Sequence, residues 1–258
     1  TDFKLVMGDT DLTADAGKSS ASRQAFVSGK AAELAGLDLR RKLFEAAGAP
    51  AGEWQDRRYR LALEDGQVVF RKDRITHRFS PRAELVGEGT FDPPTTPADE
   101  NGQGAPYATY GFAAQIACVE VDLALGTTRV LELWAAHDVG RALNPTQVEG
   151  QIQGGALQGL GMALMEEYLP GQSENLHDYL IPTVGDAPKM HCILVEDAEP
   201  LGPYGAKGVG EPGLIPTAPA ILGAIEQATG VRMTRVPVLP HRLRTAIATM
   251  ATMATMAT

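Results

Sequence analysis

Residues 202–219 read GPYGAKGVGEPGLIPTAP, and the rest of the chain is organised around them. The stretch holds five glycines and four prolines. Glycine removes the backbone's conformational preference and proline removes a donor, so a regular helix or a central strand is excluded. What remains is a fixed loop in which backbone approaches another group closely. Only Lys207 and Glu211, in its middle, carry side chains able to do acid–base work. The residues alone leave two readings of Glu211. It is a solvated acid on a surface turn, or a catalytic carboxylate on a loop of the kind where such groups concentrate. Lys207 reads as the anchor of the loop or as charge support for Glu211.

Just before the loop, HDYLIPTVGDAPKMHCILVEDAEP predicts a loop and then a short strand over 192–195. Just after it, TAPAILGAIEQATGV predicts a helix stopped at Gly230, and VRMTRVPVLP a strand. The tail ATMATMATMAT, within 244–258, is a three-residue repeat that either extends the last helix or stands apart; it is given no function.

Residues 137–167 read HDVGRALNPTQVEGQIQGGALQGLGMALMEE. Asn144-Pro145 opens a helix, since proline at the first turn loses no hydrogen bond. Gly150, Gly154, Gly155, Gly159 and Gly161 lie within or beside the apolar stripe of that helix. Each such glycine is destabilising by close to ~1 kcal/mol, so something needs a close approach there. Helix packing and a flat ligand at the helix start both meet that need. His137 and Asp138 are adjacent on a strand and point to opposite faces, and no second His or Cys lies at ligand spacing, so His137 reads as structural.

The first third begins with an apolar run, FKLVM, that reads as a strand. DAGKSSASRQAFVSGKAAELAGLDLRRKLFEAAG predicts a helix ending near Gly48, with Ser19, Ser20 and Ser22 placed to cap it. Hydroxyls and free N–H groups at a helix start also suit an anion. Asp65-Gly66 joins two β-like runs as a hairpin. Arg71, Lys72, Arg74, His77 and Arg78 read as a solvated face. FDPPTTPADENGQGAP, residues 91–106, is an irregular connection between lobes 1–90 and 107–243, or a cover over a substrate entrance. Beyond it, YGFAAQIACVEVDLALGTTRVLELWAAHDVG predicts a long hairpin with one wet face.

A net charge of −9 argues against nucleic acid. No run is apolar enough for a membrane span and the start lacks a signal-peptide pattern, so the reading is soluble and cytoplasmic. Cys118 and Cys192 are too few for a disulfide framework and read as buried thiols.

GAKGVGEP, residues 205–212, resembles the signature that carries the active-site glutamate in molybdenum hydroxylases of the xanthine dehydrogenase and aldehyde oxidase family. Residues 137–167 and 8–32 (GDTDLTADAGKSSASRQAFVSGKAA) are similar to two further blocks of that family, in the family's order. The resemblance implies an α+β fold of mixed sheets with packed helices, the C-terminal portion of a molybdopterin-binding domain. It implies molybdopterin with molybdenum, in the cytosine dinucleotide form, the metal being held through the pterin dithiolene and not by a side chain. Glu211 is implied as general base. Ala21, Ser22, Arg23 and Gln24 are implied at the cofactor's phosphates, Gln151 at the pterin, and Gly208, Val209 and Gly210 at cofactor oxygens.

The implied reaction inserts water-derived oxygen into an electron-poor carbon. A purine or other N-heteroaromatic comes first as substrate, then an aldehyde, then reductive removal of a ring hydroxyl from an aryl thioester. A non-catalytic, cofactor-holding subunit is the alternative of a different class. Two cysteines cannot hold an iron–sulfur cluster, and no dinucleotide fingerprint follows a strand. Iron–sulfur and FAD are therefore expected on partner chains. The earlier half of the family's molybdenum subunit has no counterpart here and is expected on a partner too.

Overall fold

The computed structural model describes residues 4–79 and 85–256 and divides the chain into two compact units, Thr1–Ala108 and Thr109–Thr258. Helices with one antiparallel and one mixed sheet give an α+β architecture, as the resemblance implies. The apolar start does not form a strand over its described part. Lys4 to Met7 are irregular and exposed, and Thr1 to Phe3 lie outside the described residues.

In the first unit, helix α1 (Gly29–Ala46) is entered through one π-helical turn (Gln24–Ser28). The two N-cap residues are Arg23 and Ser28, and neither caps by its side chain, so the cap positions differ from the sequence reading. Arg23 takes the cap position in helical geometry, while the Ser19 hydroxyl accepts from Gln24 Nε2 at 2.9 Å. Strands β1 (Arg60–Glu64), β2 (Gln67–Lys72) and β3 (Ile75–Phe79) form an antiparallel meander. The β1–β2 turn is the predicted Asp65-Gly66 hairpin, with φ of 48° and 72° at the two residues. Positive φ at both central residues matches the twist of the strands. Phe70 of β2 packs under Phe44 of α1 at 4.1 Å between ring centroids, with Tyr59 at 5.2 Å. The basic cluster is largely neutralised: Lys72 pairs with Asp56 at 2.9 Å and Arg71 with Glu64 at 2.7 Å.

The second unit is built on a sheet of β4 (Ala113–Asp122), β5 (Thr127–Asp138) and β6 (Lys189–Val195). β4 and β5 form the predicted hairpin. β6 runs parallel to β5, because helix α2 (Pro145–Leu164) carries the chain back across the sheet. Helices α3 (Thr217–Thr229) and α4 (Pro240–Met256) complete the unit. Asn144 caps α2 by accepting from Gln147 N–H at 3.2 Å, and Gly230, with φ of 74°, ends α3.

Cys118 pairs opposite Glu132 and Val119 opposite Val130, so Leu131 is the extra residue of a bulge. The bulge sends both Val130 and Leu133 into the core although they are three apart. Val130 meets Leu160, Ile221, Ile225, Val238 and Leu243 there.

The helices cover one face of this sheet and leave the other open. Cys118 lies on the open face with Ile116, Glu120 and Asp122 and is exposed, which corrects its reading as a buried thiol. Apolar neighbours do not bury a strand residue that points away from the helices. Cys192 is half-buried, and burial raises its thiol pKa. Residues 231–239 are not a strand as expected. Pro237 lacks a donor, and Val238 N–H donates to the Ala163 carbonyl at 2.7 Å, so the segment caps the core as irregular chain. No helix among the described residues is long and apolar enough to cross a membrane.

Candidate active site

The Gly/Pro-rich stretch is a fixed loop up to α3, and its anchoring begins at Lys207. The Lys207 ammonium donates to Asp138 Oδ2 at 2.5 Å and to the Tyr110 carbonyl at 3.0 Å. Both side chains of the ion pair are 8% exposed. The backbone is pinned beside them, with Lys207 N–H donating to the Val139 carbonyl and Arg141 N–H to the Gly205 carbonyl. Gly140, at φ of 63°, lets the two segments meet, since a Cβ there would run into the Gly205 carbonyl and Lys207. Lys207 therefore anchors the loop. Val209 reaches the core formed by Ala135, Val139 and Ile152, which leaves only its backbone for any ligand.

Gly210 and Glu211 are exposed. The Glu211 carbonyl accepts from Leu214 N–H at 3.0 Å, closing a turn that lies on α2. A Cβ at Gly213 would stand 3.0 Å from the Ile152 carbonyl, and one at Gly155 2.9 Å from Leu214 N. Gly159 is tighter, its Cβ falling 2.5 Å from Thr217 Cβ. These glycines exist so that the Glu211 turn and the start of α3 can rest on the helix.

Gly150 and Gly154 differ. Nothing lies within 4 Å of a Cβ built on either, and both are exposed, as is Gln151. The packing reading of the glycine-rich helix thus holds for some of its glycines and not for others. Gly155 and Gly159 serve packing, and Gly150 and Gly154 leave a bare helix surface beside the Gln151 amide.

A polar group not singled out in the sequence sits behind the turn. Gln115 of β4 donates to the Gly213 carbonyl at 3.0 Å, stands 3.0 Å from His137 Nε2, and accepts from the Thr217 hydroxyl at 2.7 Å. Thr217 is fully buried and His137 is 1% exposed. Burial lowers the His137 pKa, which keeps the ring neutral. The one available signal was Gln115 itself, an amide on the inward parity of an apolar strand.

In the first unit Ala21, Ser22, Arg23 and Gln24 are contiguous at the entry to α1. Ala21 and Ser22 both have φ of 54°, a left-handed conformation that costs roughly 1–2 kcal/mol per non-glycine residue. Arg23 donates to the carbonyls of Ala16 (2.9 Å) and Lys18 (3.2 Å), tying the preceding loop to the helix start. Strain of this kind persists where surrounding structure enforces it, and it clusters at ligand clamps.

The model of the molybdopterin cofactor-binding domain family matches residues 1–188. The chain belongs to that family. As a molybdopterin-binding domain chain it is 32% identical, over 248 residues and 91% of its length, to a putative xanthine dehydrogenase molybdenum-binding subunit of Escherichia coli (strain K12), covering 32% of that protein. Its fold is similar to the aldehyde oxidoreductase from Desulfovibrio gigas, with a TM-score of 0.70 and 28% identity, covering 93% of this chain and 24% of that one. It is also similar to quinoline 2-oxidoreductase from Pseudomonas putida 86, with a TM-score of 0.65 and 26% identity, covering 89% and 30%. The chain spans about a third of the length of the curated relatives it matches.

The residues present fit a molybdopterin. The bare surface at Gly150 and Gly154 has room for a flat ring, and the exposed Gln151 amide carries both a donor and an acceptor. Among the described residues no cluster of three or more His, Cys, Asp or Glu side chains forms a metal site.

Proposed function

We propose that this chain is the part of a molybdenum hydroxylase that presents Glu211 as general base to an electron-poor carbon of a purine or other N-heteroaromatic. The observation that carries the reading is the Glu211 turn. It is fixed by the Lys207–Asp138 pair on one side and by Gln115 on the other, and it rests on α2 through Gly213, yet it leaves Glu211 exposed. A reaction of this class converts R–H and water to R–OH, two protons and two electrons. When bound, the cofactor supplies the two-electron acceptor.

The protein's own part is proton transfer and placement. Glu211 takes up the proton released as the water-derived oxygen bonds to carbon. A general base in reach of that proton contributes about 10²–10⁴-fold to rate. Gly208 and Gly210, without side-chain bulk, offer backbone N–H groups to cofactor oxygens, and Val209 does so through its backbone alone. Gln151 pairs with the pterin edge. Ala21, Ser22, Arg23 and Gln24 take the phosphates of a cytosine dinucleotide form.

The remainder of the molybdenum subunit, with iron–sulfur and flavin chains, covers the site and carries electrons away. Relatives carry names that mark them as single subunits of larger enzymes, one of them the gamma subunit of a dehydrogenase complex in Paenarthrobacter nicotinovorans, which supports a heteromeric assembly. Likeness to quinoline 2-oxidoreductase supports a heteroaromatic substrate. Likeness to aldehyde oxidoreductase supports aldehyde oxidation as a second reading, with the same role for Glu211.

The test is Glu211→Gln in the assembled enzyme, assayed on heteroaromatic and aldehyde panels. Turnover on either panel should fall by at least about 100-fold with molybdenum content unchanged. Near-normal turnover in a metal-replete variant removes Glu211 from the chemistry.

A further inference from the structure

Gln115 makes three contacts with a single carboxamide, and their chemistry fixes its orientation. The Gly213 carbonyl can only accept, so the amide nitrogen must face it, and the amide oxygen then faces the Thr217 hydroxyl. The nitrogen's second hydrogen points at His137 Nε2, 3.0 Å away. That ring nitrogen must therefore carry a lone pair, which places the proton on Nδ1. Nδ1 is buried without a hydrogen-bond partner, a cost that persists because Nε2 is needed as an acceptor. If the amide turned over, its oxygen would oppose the Gly213 carbonyl. If the ring carried its proton on Nε2, two N–H groups would collide.

Gly213 follows Glu211 by two residues in a turn closed by the Leu214 N–H bond to the Glu211 carbonyl. Its Cα side rests on the Ile152 and Gln151 carbonyls of α2, and its own carbonyl is held from β4 by Gln115. A shift at Gly213 therefore moves Glu211. We propose that Gln115 is a positioning residue for Glu211, and that His137, by accepting from its amide, sets the one orientation in which Gln115 can do so. The proposal rests on the reading of Glu211 as general base.

The experiment compares His137→Phe, His137→Gln and Gln115→Met in the assembled, molybdenum-loaded enzyme. Phenylalanine fills the space of the ring but accepts nothing; glutamine fills less well but returns an acceptor. His137→Phe and Gln115→Met should lower kcat by about 10- to 100-fold at full molybdenum content, with KM little changed, because misplacement by a fraction of an ångström to an ångström acts on the chemical step. His137→Gln should recover most of that loss. A phenylalanine variant as active as the glutamine variant, or more so, overturns the proposal.

Two further readouts do not depend on catalysis. Nitrogen NMR of labelled protein should show His137 protonated on Nδ1, and a ring protonated on Nε2 overturns the assignment. Amide exchange at Leu214 should be faster in His137→Phe than in His137→Gln, and equal rates overturn the positioning role. These hold even if Glu211→Gln proves active, so failure of the base and failure of the positioning network are distinguishable.

Discussion

Lys207 Nζ lies 2.5 Å from Asp138 Oδ2 with both side chains almost wholly buried, and this pair joins the candidate catalytic loop to the end of β5. Removing one member leaves the other charge buried and unpaired. Lys207→Met should therefore destabilise the protein by about 3–5 kcal/mol. The double variant Lys207→Met, Asp138→Leu should lose less than Lys207→Met alone, because no charge is then stranded. Urea unfolding of the three proteins checks this, and equal losses in single and double variants would contradict it.

The helix glycines make predictions of opposite sign. Gly159→Ala drives a Cβ to 2.5 Å from Thr217 Cβ, a buried contact that cannot give easily. It should destabilise by about 1–3 kcal/mol. Gly154→Ala meets nothing within 4 Å and gains helix propensity, so it should stabilise by up to about 1 kcal/mol. The same methyl would stand on the surface proposed for the pterin, so molybdenum occupancy should fall in the more stable variant. Thermal melts and metal analysis read the two effects separately.

His137 gives a pH dependence whose sign follows from burial. Its folded pKa is lowered, so the unfolded chain takes up a proton that the folded chain refuses. The stability this group confers is full above its unfolded value near 6.5 and is lost as pH falls below it. The slope approaches about 1.4 kcal/mol per pH unit for one proton. Denaturation midpoints measured from pH 8 to pH 5 should show this decline in the wild type and a flatter profile in His137→Gln. Identical profiles would mean that His137 does not titrate on unfolding in this window.

At the entry to α1, Ala21→Gly should stabilise by roughly 1 kcal/mol, since glycine adopts a φ of 54° without penalty. Ser22→Asp should lower molybdenum occupancy, by setting a negative charge against the proposed phosphates. Full occupancy with an unchanged visible spectrum would remove this segment from the cofactor site.

The sequence by itself determined the local pieces. Asp65-Gly66 specified its hairpin because few other residue pairs accept positive φ twice in succession. Asn144-Pro145 and Gly230 marked helix ends because their side chains, or lack of one, answer the unsatisfied groups there. The glycines and prolines of residues 202–219 ruled out regular structure, and the order of three motif blocks pointed to the family. Tertiary structure alone decided what depends on facing. Cys118 and Val119 look alike in an apolar run, yet the helices cover only one face of the sheet, so one is open and the other packed. Nothing in the spacing of five helix glycines separates those that receive the Glu211 turn from those left bare. Gln115, His137 and Thr217 are up to 102 residues apart, and only the β4–β5 register with the docking of α3 brings them into one network around the Gln115 amide. Local propensity acts between near neighbours, whereas such a contact exists only after distant segments are packed.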